Sequence, residues 1–308
     1  MAETPHGVEI PGPWQHRHVA ANGARFHVVE AGPATGPPVL LLHGFPQFWW
    51  AWRHQLPVLA DAGHRAVAMD LRGYGGSDKT PDGYDPVTLA GDVAAVIKAL
   101  GARDATVVGH GWGGYVGWAA ATIHPREVRR LCTVAAPHPL AMLSCLRRGR
   151  ARTALRHLLV MQVPMLPERR LAAGSGAALR DHLSAWSAPG SGFPDEQTLA
   201  TYQRAISLWP SSHCALEYHR WLLRSRLRSD GHRFDARMRV PVEQPVCLVS
   251  GGQDPAVPVH ALDGSRRYVR GPLREHRLAG AGHFAPEEDP QRFAEVLLDW
   301  LAETGPPG

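Results

Sequence analysis

Four short stretches hold the residue types that do chemistry. Asp254 lies in Gly251-Gly252-Gln253-Asp254-Pro255, just after the apolar run Val246 to Ser250. His283 lies in Ala281-Gly282-His283-Phe284, after the strand-like Leu278 and before a helical pattern. A carboxylate and an imidazole that reach each other make a general base, with the acid orienting the ring. The third stretch runs from Asp104 to Trp118 and reads as apolar strand, tight turn and small-residue helix. Its turn, Gly109-His110-Gly111-Trp112-Gly113, has the G-x-Nu-x-G outline that presents a nucleophile on a strained residue. The centre is Gly111, which has no side chain, so the pedestal stands without its nucleophile. The fourth stretch is His43-Gly44-Phe45-Pro46. The backbone N–H of Phe45 and that of Trp112 are suited to hold a developing oxyanion.

These stretches must be positioned by strands. Pro38 to Leu42 is a continuous apolar run, and His64 to Leu71 and Arg130 to Ala135 are further strand patterns. Phe48 to Leu59 and Val87 to Leu100 read as helices. Val19 to Val29 reads as two short strands around the turn Ala21-Asn22-Gly23. Strands alternating with helices predict an α/β, doubly wound, mostly parallel sheet, with the site at the carboxyl ends of its strands. The alternation stops near Pro137-His138-Pro139, and helical or loop-like patterns run to Phe234. The expected division is a core of residues 14–138 and 236–304 with an inserted helical cap over 139–235. A last helix is expected from Pro290 to Leu301.

Composition narrows the function classes. The chain has 308 residues, 44% hydrophobic, with a formal charge of +5 that is almost all arginine, since lysine occurs only at 79 and 98. The one basic run, Arg147 to Arg152, has no aromatic interleaving, which argues against a nucleic-acid partner. Gly75-Gly76 matches no phosphate-loop pattern. Cys132, Cys145, Cys214 and Cys247 lack metal-ligand spacing and imply no disulfide framework, which suits a reducing, cytoplasmic compartment. No metal or cofactor is expected. The polar, proline-bearing stretch Met1 to Pro13 does not read as a signal peptide, and no apolar run is long enough to span a membrane. A homodimer is left open.

His43-Gly44-Phe45-Pro46, Asp70-Leu71-Arg72-Gly73-Tyr74-Gly75-Gly76-Ser77-Asp78-Lys79, Gly109 to Gly114, Pro137-His138-Pro139 and Gly282-His283-Phe284 together resemble the epoxide hydrolases of the α/β-hydrolase fold, relatives of the haloalkane dehalogenases. The resemblance covers nearly the whole chain. It implies that His283 is the base, Asp254 its orienting acid, and Phe45 and Trp112 the oxyanion donors. It also implies an aspartate at 111, where this chain has glycine, so the family's covalent ester route is closed. Two cap tyrosines that polarise the epoxide oxygen fall, by loose spacing, at His157 and His219, with Tyr218 the alternative for the second.

Three readings of Gly111 follow. The chain is a relative that binds a small ligand without turnover, or an enzyme whose His283–Asp254 pair acts directly on water or a carbon acid, or an ordinary hydrolase carrying a substitution. The preferred expectation is an epoxide-hydrolase-like hydrolase that activates water, acting on a small apolar molecule. The substrate-binding candidates are His157, Tyr218, His219 and Trp49, the last from an aromatic loop that also holds Phe48 and Trp50. His110 and His43 are expected to pack beneath the site, and Asp70 to stabilise its turn.

Overall fold

The computed structural model describes residues 7–303; part of the leading polar stretch and residue 304 of the expected core lie outside them. Strand β1 (Gln15–Ala21) turns through Asn22 and Gly23, both at positive φ (45° and 74°), into β2 (Ala24–Ala31). That pair of left-handed residues matches the twist of an antiparallel hairpin. Then come β3 (Pro38–Leu42), a 3₁₀ turn (Trp49–Trp52), α1 (Gln55–Asp61), β4 (Arg65–Met69), α2 (Pro86–Ala99), β5 (Ala105–His110), α3 (Trp112–Ile123) and β6 (Val128–Val134). The expected helix from Phe48 to Leu59 is thus two pieces. Pro57, third in α1, has no N–H to donate and is tolerated only in a first turn, so a helix cannot run through it from Phe48.

Seven helices separate β6 from β7 (Val246–Gly251): α4 (Pro139–Arg147), α5 (Arg152–Val160), α6 (Leu166–Ala172), α7 (Ala177–Trp186), α8 (Glu196–Ser207), α9 (Ser211–Arg224) and α10 (Ser229–Arg237). The chain closes with α11 (Val259–Ser265), β8 (Leu273–Leu278), α12 (Ala285–Glu288) and α13 (Pro290–Glu303).

Among the described residues eight strands form one sheet in the order β1-β2-β4-β3-β5-β6-β7-β8. The pairs β1–β2 and β2–β4 are antiparallel and the rest parallel. Every residue of β5 is buried, as expected of a central parallel strand covered on both faces. One core layer joins Leu40, Val67 and Val107 to α2 and α3, and the other joins Leu41, Val108 and Val249 to α13. This is the α/β sheet with an inserted helical cap that the alternation predicted. Its parallel strands all end on one edge, which brings residues 44, 111, 254 and 283 together.

Candidate active site

The turn after β5 is built by close approach. A Cβ on Gly109 would lie 2.4 Å from the Gly113 carbonyl oxygen, one on Gly113 2.2 Å from that of Leu42, and one on Gly114 2.3 Å from the Ala136 Cβ. Those glycines are required by space. Gly111 is different: its Cβ position meets only the Gly44 Cα and His283 Nε2, both at 3.6 Å. Its φ of 52° and ψ of −115° are strained for any residue with a side chain, yet the room for one is there.

His283 Nδ1 donates to Asp254 Oδ2 at 2.9 Å, and both side chains are nearly buried. Asp254 Oδ1 in turn accepts from the backbone of Ala256 (2.7 Å) and Val257 (3.1 Å), which locks the carboxylate. A carboxylate on Nδ1–H leaves the Nε2 lone pair as the basic site. Nε2 has no protein partner among the described residues and faces the cavity beside Gly111. The His283 backbone is pinned on both sides: its N–H donates to the Trp186 carbonyl (2.8 Å), and its carbonyl accepts from His110 Nε2 (2.9 Å). Glu288 takes the neighbouring amides Gly282 and Phe284, both at 2.9 Å. Among the described residues the amides of Phe45 and Trp112 donate to no protein acceptor.

A cavity of about 130 Å³ opens from this point under α4 and α5. Phe45, Gly111, Trp112, His157, His219 and His283 line its base, and Met142, Leu146, Leu158 and Leu222 its apolar roof. His157, His182 and His219 ring the edge of Phe45, with centroids 5.7, 5.3 and 4.7 Å away. Burial, aided by the nearby His283, pushes His157 down to about 4, so near neutral pH its ring is uncharged. Among the described residues its Nε2 is buried and has no partner.

The structure places His219 on the cavity but not as a donor, and it corrects two binding expectations, Tyr218 and Trp49. His219 faces the cavity, but Nε2 accepts from the Trp112 indole (2.9 Å) and Nδ1 donates to the Ala215 carbonyl (3.1 Å). With both nitrogens engaged, it has no proton to offer a substrate oxygen, and the Trp112 indole is no longer a free donor. Tyr218 is buried away from the cavity, its hydroxyl donating to the Arg72 carbonyl at 2.7 Å. Trp49 is wholly buried and does not line the cavity; its indole donates to the Val8 carbonyl at 2.8 Å. Phe48 and Trp50 are likewise core residues. Of the expected cap donors, His157 alone keeps a free ring nitrogen. Tyr115, Trp186 and the α4–α5 lining were not foreseen, since neither motif nor spacing marks them.

His43, His110, His138 and His219 are buried and uncharged, with burial the largest cause in each; His110 and His138 are pushed down to about 3. The unfolded chain protonates these rings as pH falls through about 6.5, while the native state does not. The unfolded state then binds more protons, so stability falls with pH and levels only below the native values. The expected result is a melting midpoint several degrees lower at about pH 5 than at about pH 7. An unchanged or rising midpoint contradicts it.

The α/β-hydrolase fold family profile matches residues 37–290. The chain is 29% identical to "Epoxide hydrolase A" of Mycobacterium tuberculosis, over 92% of this chain and 96% of that protein. It is 30% identical to "Epoxide hydrolase 3" of Xenopus tropicalis, over 94% of this chain and 78% of that one. The crystal structure of Epoxide Hydrolase A from Mycobacterium thermoresistibile superposes with a TM-score of 0.79 at 26% identity, covering 94% and 98% of the two chains. An epoxide hydrolase from an endophytic Streptomyces gives 0.79 at 28%, covering 96% and 97%. The chain therefore belongs to the α/β-hydrolase fold family. Within it, the chain belongs to the group related to epoxide hydrolases.

Proposed function

We propose that this chain is an epoxide-hydrolase-like hydrolase of a small apolar substrate in which His283, oriented by Asp254, activates water in place of a side-chain nucleophile. The observation that carries this reading is the space at Gly111, 3.6 Å from His283 Nε2, beside two unpaired amides. Water seated there gives a proton to Nε2 as its oxygen attacks the epoxide carbon. The carbon–oxygen bond breaks, and the ring oxygen leaves as an alkoxide hydrogen-bonded by His157. The alkoxide then takes a proton from the imidazolium, which restores the base. The reading is cofactor-free and cytoplasmic, in keeping with four free, buried cysteines. Among the described residues no cluster suits a metal and no helix is long and apolar enough to cross a membrane.

The second reading is a small-ligand binding protein on the same fold, favoured by the same glycine. Styrene oxide in oxygen-18 water, followed by intact mass over a single turnover, separates the two. The proposal expects label in the diol from the first turnover, no protein adduct, and a slower Gly111→Asp variant. In that variant the carboxylate takes the water's place and its backbone carries about 1–3 kcal/mol of strain. Turnover by Gly111→Asp alone, with a trapped ester, instead makes the native chain a binder.

A further inference from the structure

We infer that the same pocket abstracts a proton from a carbon acid: a small apolar ketone whose carbonyl oxygen sits on the Phe45 and Trp112 amides while His283 takes the α-hydrogen. This rests on His283 as base and needs no part of the hydrolytic reading.

A carboxylate at 111 would start 3.6 Å from the Gly44 Cα, with Phe45 and Trp112 next in sequence to these two residues, and would compete for their amides with its own oxygen. Glycine leaves both without a protein acceptor and open to an oxygen of the substrate. The base stands at the same place, with Nε2 3.6 Å from the position where a side chain at 111 would begin. A carbonyl oxygen and its α-carbon are two bonds apart, so one small molecule reaches the amides and Nε2 together. Elsewhere the cavity offers little to steady a developing negative oxygen. His219 has both nitrogens engaged and Tyr218 donates to Arg72, which leaves His157 alone. The amide pair is therefore the strongest oxyanion site in the pocket. Met142, Leu146, Leu158 and Leu222 shield it with apolar surface, which strengthens those hydrogen bonds.

The step balances without a co-reactant. The α-carbon–hydrogen bond breaks, its proton goes to His283 Nε2, and its electron pair moves through the new carbon–carbon double bond onto the carbonyl oxygen. The enolate sits on the two amides, and Asp254 stabilises the imidazolium. Reversal returns a proton to carbon, and in deuterium oxide that proton becomes deuterium.

The test follows the benzylic proton signal of phenylacetone by NMR in deuterium oxide near neutral pD. The native chain is expected to exchange it about 100-fold faster than His283→Ala. Gly111→Asp, which blocks the amides while keeping His283 and Asp254, is expected to fall to the His283→Ala rate. Native exchange no faster than His283→Ala overturns the inference, and so does full exchange in a folded Gly111→Asp variant. Styrene oxide hydrolysis is scored separately, so either activity can fail while the other stands.

Discussion

Replacing His283 by alanine lowers styrene oxide turnover by about 100- to 10,000-fold, the range a positioned general base supplies. In the proposed mechanism the ring has two tasks. Its unpartnered Nε2 beside Gly111 takes the proton, and the Asp254 carboxylate, itself held by two amides, stabilises the imidazolium that forms. Asp254→Asn is expected to lose nearly as much. An asparagine amide facing Nδ1 favours the other tautomer, which puts the hydrogen on Nε2 and removes the base. Because the pair acts as a unit, the double variant falls little below either single one. Circular dichroism checks that both remain folded. Turnover in His283→Ala equal to the native rate would remove this residue from the mechanism.

Glu287→Ala is expected to cost about 3–5 kcal/mol of stability, as for breaking a buried ion pair from one side. For a chain of this size that lowers the midpoint by roughly 5–8 °C. The Glu287 carboxylate is buried and accepts from Gln47 Nε2, the Tyr202 hydroxyl and Arg53 Nη1, each at 2.5 Å. Burial pushes its pKa up, and Arg53, Tyr202 and Gln47 pull it back. Removing the carboxylate leaves three polar groups without their acceptor, which is dearer than losing one contact. The loss also reaches the site: Gln47 packs against His110, whose Nε2 donates to the His283 carbonyl. A loosened His110 loosens the base, so any remaining turnover should fall as well. Glu287→Gln, which keeps the shape and an acceptor oxygen, should lose much less. Melting curves of the two variants beside the native chain decide it; equal, small losses would show that the network carries little stability.

The sheet and the meeting of His283 with Asp254 were legible because each sits in a local pattern. Asp254 follows the apolar β7 and His283 follows the polar edge strand β8, and the strands of a parallel sheet end on one edge, so spacing brings them together. Gly109, Gly113 and Gly114 announce a close turn because no other residue fits there. The hairpin at Asn22-Gly23 is likewise local, needing only two residues that accept positive φ. Pro57 was also visible, and its missing N–H explains why the aromatic loop is not one helix.

What the sequence left open depended on rotation and on distant partners. Tyr218 and His219 are adjacent on α9, and neighbouring helical residues point about 100° apart. A one-residue shift in register exchanges the one that faces the cavity for the one that faces Arg72, and only packing of α9 against the core selects between them. Trp49 belongs to a loop near the site, but its ring turned into the core because its indole found the Val8 carbonyl. Glu287 and Gln47 are 240 residues apart and meet only once the sheet is closed. Backbone geometry at the strand ends is a local property, and so sequence determined the pedestal and the placing of Asp254 and His283 beside it. Which donors remain free is a property of contacts among distant side chains, and so the tertiary structure alone decided that the Phe45 and Trp112 amides and a ring nitrogen of His157 are left without a protein partner among the described residues.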